Sequence, residues 1–590
     1  MLGALSCWVL PAGSASAQTG GCLVDTARGL AVCPADGGVT TAVWLRQRLG
    51  EGYAFAREAP GDAPDAGGGG GPQAGVGYAV TAPDGAALTV WASDLPLLAI
   101  AAGDSIADDP KVPARLTLAL PDEDAVEVEI GVEWRGFAAQ YYEKKNYDLE
   151  VRGGDIQIPG LRDDDDWVLN GMPDEPQRIR SFLAQQLWLD LARRPASFSA
   201  EAVMGAGTRY VELLLDGDYR GAYLASEQID RKQLDLARPT DAGARRGELF
   251  KAGFWSEATQ WEAAPAYDNA APAYDQWEQK FPDPDDFGND YAGLHAALTH
   301  AAGTGDSAFV AQLTRYFDLD NLVDYFIWIN VTTGRDNRGT NTYAARNAAD
   351  GPWAIIPWDM DATFGSEWNG TYTPNTDWVM GNRVIYRLME SAWPGFREAA
   401  AARYFELRES LLTVAELRRR ADAARARLAA FATDERESAR WPEYVYELTS
   451  DPVVNSFAGR LDLMDDYLGR FLVDEVTPPP VDTTDAGAPP VDTTDGGPPP
   501  ADTTSSLPAG ALDLPAMRLS PNPTTGPLVI DLPRAVGVAA VGTIVDGSGR
   551  RVRRLDLRAG RNEVDVDELP PGIYTVYMRG WAPARLVRAR

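Results

Sequence analysis

The stretch Arg335-Asp336-Asn337-Arg338-Gly339-Thr340-Asn341, followed by Ile356-Pro357-Trp358-Asp359-Met360-Asp361-Ala362-Thr363-Phe364-Gly365, carries the densest chemistry in this chain. An Asp stands five positions before an Asn, and a second Asp pair closes a short apolar run and leads into Phe-Gly. Phosphoryl transfer around a divalent cation needs these residue types. One carboxylate takes a hydroxyl proton, and an Asn and a further Asp hold the metal that neutralises the phosphates. The apolar periodicity from Leu319 to Val331 predicts a helix ending just before Asp336, and Trp353 to Trp358 predicts a short buried strand ending at Asp359. The reading requires these two segments to meet in space.

Working outward, the 590 residues predict several domains and a large core, and 45% hydrophobic with 24% charged residues is ordinary globular composition. A net charge of −32 argues against a nucleic-acid partner, which needs clustered Lys and Arg; the acidity serves solubility. No apolar run is long enough to span a bilayer. His295 and His300 are the only histidines, which argues against a His-rich metal centre or a Ser-His-Asp triad.

Residues 1–17 predict a signal peptide: Leu2 to Leu10 is mostly apolar and Ala15-Ser16-Ala17 fits a cleavage site, although no basic residue precedes Arg28. In an exported chain, Cys22 and Cys33 predict a disulfide. Residues 18–93 read as a small β-rich or irregular leader, with a Gly run at 68–72.

Mixed α and β patterning follows over 94–474. Val126, Val128, Ile130 and Val132 alternate as one strand face, and Asn146 to Val151 is the next strand. Arg178 to Ala192 is helical, with Ile179, Phe182, Leu183, Leu187 and Leu191 on one stripe. Asp216-Gly217-Asp218 predicts a hairpin between Arg209–Leu215 and Gly221–Leu224. Ala399 to Phe431 predicts one long helix. Residues 475–507 repeat Asp-Thr-Thr between Pro clusters and read as a semi-rigid linker. Residues 508–590 show the strand-turn rhythm of a β-sandwich, including Leu528-Val529-Ile530, Val541 to Val545, the turn 546–549 and Gly572 to Tyr577.

Several ordered blocks within 94–474 resemble the CotH (spore coat protein H) kinase family. They are Ile130 to Gly136 with Lys144-Lys145-Asn146-Tyr147; Asp166 to Leu169 with Arg180; Tyr210 to Tyr223 with Glu227 to Asp230; and the Asp336 and Asp359 blocks. Phe137-Ala138-Ala139 stands where the family has several Ser, and Ser181 where it has Asn. Leu519-Ser520-Pro521-Asn522-Pro523-Thr524-Thr525-Gly526 and Leu569-Pro570-Pro571-Gly572-Ile573-Tyr574 resemble the C-terminal sorting domain of type IX secretion. These resemblances imply an α+β fold, an atypical protein-kinase-like domain followed by a β-sandwich module. They imply a chain exported through the periplasm to become secreted or surface-attached, with the secretion machinery and an envelope or surface protein as partners.

On the kinase template Asp336 is the catalytic carboxylate, and Asn341, Asp359 and Asp361 are the ligands of Mg²⁺ or Mn²⁺. If the strand continues past Asp359, its carboxylate and that of Asp361 face one way; if a turn begins there, they diverge. Of Lys144 and Lys145, only one can enter an ATP cleft by strand alternation, and Lys145 is preferred because it shares a face with Tyr147. Arg135 and Arg180 either clamp phosphates or pair with carboxylates. Glu227 is a candidate to orient a Lys or the adenine side, since the helix from Arg178 offers Gln185 and Gln186 where a kinase Glu is expected. The run Asp163 to Asp166 reads as a solvated loop.

The function expected is transfer of the ATP γ-phosphoryl group to Ser or Thr of a surface or envelope protein. The alternative is a non-catalytic adhesin or assembly scaffold, favoured by scarce external ATP and by Phe137-Ala138-Ala139. A glycosidase using Asp359 and Asp361, about 6.5–7 Å apart on one strand, is the third class.

Overall fold

The computed structural model describes residues 22–35 without 26, residues 49, 54–55 and 76–472 without 122, 137, 240–246, 374–377 and 391–394, then 518–521, 524, 526–532, 540–545, 551–558, 560–566, 568–570, 572–578 and 584–588. The signal peptide 1–17, the Gly run 68–72, the linker 475–507 and the turn 546–549 lie outside the described residues. The chain divides into two compact units, Met1–Leu472 and Val473–Arg590.

In the first unit, leader strands Leu23–Asp25, Leu30–Pro34, Ala54–Phe55, Gly77–Thr81 and Ala87–Ser93 form one sheet, and Cys22 and Cys33 are joined as a disulfide. Leu23 and Val32 share a buried cluster with Leu97, Ala99, Leu214 and Tyr219, so the leader packs directly on strands from residues 94–474.

Seven strands of that region close into a barrel: Leu97–Ala101, Val112–Ala119, Val126–Arg135, Asn146–Val151, Asp166–Asn170, Thr208–Leu215 and Asp218–Ser226. Apolar alternation fills it, with Ile130, Val132, Tyr147, Leu149, Trp167, Leu169, Val211, Leu213 and Tyr223 in one inner cluster. Asp216 (φ 48°) and Gly217 (φ 80°) both adopt left-handed backbone, which a two-residue hairpin turn of this type requires.

Outside the barrel, the helix Arg180–Leu191 buries Leu183, Leu187, Trp188 and Leu191. These join a second, larger core with the helix Leu319–Val331 and a four-stranded sheet. That sheet is ordered Trp277–Phe281, Glu248–Ala252, Thr342–Arg346, Ala354–Pro357, antiparallel throughout. The content is mixed α and β.

The long helix expected over 399–431 is two helices, Gly395–Arg408 and Val414–Ala430. The break has a local cause: the Thr413 hydroxyl accepts from the Glu416 amide at 3.0 Å and caps the second helix, a Thr-x-x-Glu start signal inside an apolar run.

In the second unit, two antiparallel sheets are present. One runs Arg518–Ser520, Leu528–Leu532, Gly560–Val564; the other runs Arg551–Leu557, Ala540–Val545, Gly572–Met578, Ala584–Arg588. Leu528, Ile530 and Val564 from the first and Ile544, Leu555, Val576 and Leu586 from the second share one apolar cluster.

Candidate active site

The helix Leu319–Val331 carries Asp336 toward the four-stranded sheet through a strained connection. Thr333 stands at φ 61°, and Gly334 leads into a short 3-10 turn, Asp336–Arg338. Asn341 (φ 51°), Asp359 (φ 50°) and Phe364 (φ 50°) are also left-handed. Such backbone is uncommon for residues other than Gly and persists where surrounding contacts impose it, often at functional sites.

Asn337 supplies those contacts. It is fully buried, and its Nδ2 donates to the carbonyls of Asn341 at 2.9 Å and Trp358 at 2.6 Å. Its own carbonyl accepts from the Tyr325 hydroxyl, and the Trp358 amide donates to the Asn341 carbonyl at 2.8 Å. The Asp336 and Asp359 segments are thereby tied together. The strand ends at Pro357 and Asp359 takes left-handed backbone, so the continuing-strand geometry does not hold. The Asp359 and Asp361 charges nevertheless act on each other.

Electrostatics mark this place as an acidic cleft. Burial pushes Asp336 up to about 7, and the charges of Glu367 and Asp359 add to it while Arg338 and Arg335 oppose. Burial, then Asp359, Asp174, Asp336 and Glu175, hold Asp361 well above the usual carboxylate range. Burial also lifts Asp174 to about 6, against Arg180 and with Glu175 and Asp359. Mutual repulsion among hard oxygen donors suits a divalent cation: Asp336, Asp359, Asp361 and Asp174 form a donor set that a positive charge would relieve. As a set, the 336, 359 and 361 carboxylates do not come within 4.8 Å of one another, so a cation there would draw on pairs of them, the Asn341 side chain, water and phosphate oxygens.

Beside Asp359 opens a recess with an empty volume of about 390 Å³. Val168, Leu224, Trp358 and Met360 give it apolar walls, and Asn170, Ser181, Gln185, Thr208, Ser226, Arg135 and Asp359 its polar ones. Arg135 lies over the Trp358 ring at 5.0 Å and 3.9 Å from Asp148, so it both borders the recess and has a carboxylate neighbour.

Other expected residues stand elsewhere. Lys145 donates to the Gln140 carbonyl at 2.7 Å and lies over the Trp134 ring, and it does not line the recess. Lys144 is fully buried, donating to Glu437 at 2.8 Å and to the Ala222 carbonyl at 2.6 Å. Strand alternation did not apply to this pair, because the strand starts at Asn146. Glu227 pairs with no lysine: it accepts from the amides of Arg162 and Gly207 and from Gln233, and so anchors loops. Arg180 is buried, with Nη1 on Gln177 and Nη2 on the Asp174 carbonyl, beside the acidic cleft. Glu175 caps the same helix, accepting from the Arg180 and Ser181 amides and from the Ser181 hydroxyl. The Asp163–Asp166 run is not a solvated loop. Asp164 is buried and meets Arg162 and Lys232, and Lys232 also meets Asp165, because Trp167 beside the run belongs to the barrel core.

Residues 132–468, just over half of the chain, match the family model described as CotH kinase protein. The chain belongs to the CotH kinase protein family. Residues 518–581 match the model described as a secretion system C-terminal sorting domain. That tail indicates export to the outside of the cell or its surface, with the secretion machinery as a partner. A comparison with the curated proteins found no match. Among the described residues no helix is long and apolar enough to cross a membrane.

Within the CotH domain, Asn337, Asp174, Glu175 and Lys251 escaped the sequence reading. Burial first, then the nearby charges of Arg135 and Lys280, bring Lys251 down to about 8, while Glu278 and Asp359 oppose. Its signal was present: a single Lys inside the apolar strand Glu248-Leu249-Phe250-Lys251-Ala252 of a Lys-poor chain.

Proposed function

We propose that this chain is an exported atypical protein kinase, moving the γ-phosphoryl group of ATP to a Ser or Thr hydroxyl of a surface or envelope protein. The observation that carries the reading is the Asn337 side-chain amide, which ties the Asp336 segment to the Asn341 and Asp359 segments beside the recess. On this reading 94–474 is kinase-like in fold and the two-sheet tail is a β-sandwich.

Asp336 accepts the proton of the acceptor hydroxyl, and Arg338 and Arg335 keep the carboxylate available by opposing its protonation. The hydroxyl oxygen bonds to the γ-phosphorus as the bond to the β–γ bridging oxygen breaks, and ADP leaves. Asn341, Asp359 and Asp361 are the residues to hold Mg²⁺ or Mn²⁺, which supplies charge neutralisation for the phosphates. Arg135, in the recess wall, and Arg180, beside the acidic cleft, would meet the phosphates, and Val168, Leu224 and Met360 would face the adenine ring.

Incubation of the full chain with γ-labelled ATP, Mg²⁺ or Mn²⁺ and envelope protein tests this. Label transfer that vanishes in Asp336→Ala and Asp359→Ala supports it. Label unaffected by both substitutions, or metal-dependent ATP binding that is absent by calorimetry, replaces it with the scaffold reading.

A further inference from the structure

The turn that carries Asp336 also carries Arg338. The Arg338 Nε donates to the Arg335 carbonyl at 3.1 Å, and its guanidinium lies over two indoles, Trp378 at 4.5 Å and Trp255 at 5.5 Å from the ring centres. Each indole is held by its own anchor. The Trp378 carbonyl accepts from buried Arg460 at 2.9 Å. Trp255 packs on the turn itself: a Cβ at Gly339 would come within 2.5 Å of its ring, so any side chain there would push the ring away. Trp378 is 37% exposed and Phe254, next to Trp255, is 41% exposed, which makes this a surface. Arg338, Trp255 and Trp378 do not line the recess.

We propose that Arg338, set against Trp255 and Trp378, binds a carboxylate of the protein substrate, so that the favoured Ser or Thr has an Asp or Glu as a near neighbour in its own chain. This rests on the kinase reading above and names the substrate class of that site.

Three observations support it. First, Arg338 forms no ion pair among the described residues, although the chain has 86 acidic residues against 54 basic ones; Arg335, three positions earlier, is paired with Glu367. Asp336 feels the Arg338 charge without pairing with it. Second, the remaining donors are ordered. Nε is committed to the Arg335 carbonyl and two aromatic faces hold the plane, which leaves Nη1 and Nη2, and an in-plane pair of N–H groups matches a carboxylate. A side chain already fixed loses little freedom on binding. Third, Arg338 follows Asp336 by two residues in one 3-10 turn. A hydroxyl at Asp336 and a carboxylate at Arg338 are therefore within reach of neighbouring residues of one peptide, whose Cα atoms are about 3.8 Å apart. The overall acidity of the chain is screened beyond about 10 Å at ordinary salt, so the local cation decides which side chain is favoured here.

The experiment uses the full chain, wild type, Arg338→Gln and Arg338→Lys, and two end-blocked peptides that differ only in Asp against Asn beside the Thr. Each protein gives two readouts: kcat/KM for label transfer from γ-labelled Mg·ATP, and peptide affinity by calorimetry without nucleotide. The Asp-to-Asn ratio taken on one protein cancels any effect of Arg338 on Asp336. Wild type is expected to prefer the Asp peptide by about tenfold in both readouts, Arg338→Gln to bring the ratio within about twofold of one, and Arg338→Lys to fall between. Thermal unfolding monitors the fold, and if Arg338→Gln fails to unfold cooperatively, Arg338→Lys against wild type decides by the same ratio. A wild-type ratio near one, or a preference that survives in Arg338→Gln, overturns the proposal, and label transfer to either peptide then leaves the kinase reading standing. Loss of Mg·ATP affinity in Arg338→Gln with the peptide ratio unmoved assigns the guanidinium to the nucleotide and also overturns it. A binding preference that is lost in Arg338→Gln, with no label transferred to either peptide, keeps the carboxylate site and ends the kinase reading. A wild type that neither binds nor labels either peptide ends both.

Discussion

The side-chain amide of Asn337 donates to the carbonyl of Trp358 at 2.6 Å, joining the segment that carries Asp336 to the one that carries Asp359. The same nitrogen holds the Asn341 carbonyl at 2.9 Å, so one buried residue sets the spacing of all three.

Asn337→Ala should leave two carbonyls without a donor and cost about 1–3 kcal/mol of stability, read from urea unfolding. Asn337→Asp should be worse, since a carboxylate offers those carbonyls no N–H. In both, phosphoryl transfer should fall by more than the folded fraction does. Activity normal in Asn337→Ala would separate the site from this clamp.

Asp336 makes stability depend on pH. Its folded value, about 7, lies above the ordinary 3.8, so between them the folded chain holds a proton the unfolded chain has lost. The associated stability is fully present below 3.8 and declines as pH rises to about 7, with no further loss above that. Asp336→Asn should flatten part of this slope, Asp361 and Asp174 supplying the rest. The chain should then be more stable than wild type at pH 8 in denaturant titrations. Transfer activity in the wild type should rise through the same window, as the base becomes ionised.

Divalent metal should act in the opposite sense to the carboxylate repulsion. Mg²⁺ or Mn²⁺ is expected to raise the thermal midpoint of wild type, and the increment should shrink in Asp359→Ala and Asp361→Ala. An equal rise in all three proteins would place the metal elsewhere.

Glu437 neutralises two buried cations, Lys144 at 2.8 Å and Arg178 at 2.8 Å, and also accepts from the Ala222 amide. Glu437→Ala strands both charges and should cost about 3–5 kcal/mol. Burial opposes its ionisation, but Lys144 and Arg178 hold it below the ordinary carboxylate range. Its contribution is therefore present above the unfolded pKa and is lost as pH falls through the folded one. Scanning the acid limb of the stability profile for wild type and Glu437→Gln checks this.

The Cys22–Cys33 bridge closes a short loop, with a sequence separation of 11, in the leader sheet that packs on the barrel. Replacing both by Ser should lower stability by about 2–3 kcal/mol. Reductant should lower the midpoint of wild type and leave the double variant unmoved.

Much of the scaffold was legible. Leu319–Val331 is a helix because its apolar residues recur at helical spacing, and Val126–Arg135 is a strand because they alternate. The hairpin at Asp216-Gly217 and the helix from Arg180 follow from equally local signals. The two-helix break at 409–413 was also written locally, in Thr413 and Glu416, but apolar periodicity on both sides masked it. Alternation could not choose between Lys144 and Lys145 for a different reason: it applies inside a strand, and both stand just before one.

What the chain's own order of residues determined was where most helices, strands and turns lie, and which residues, Asp336, Asn341, Asp359 and Asp361, are candidates for the site. Periodicity and turn residues act over a few positions, and that information is complete within each segment. Tertiary structure alone decided that Lys144 meets Glu437 nearly three hundred residues away, that Asn337 bridges to Trp358, and that Lys251 stands between Glu278 and Tyr343. A buried charge takes whichever partner the crossing of distant elements brings into the same desolvated space, and no local pattern encodes that crossing.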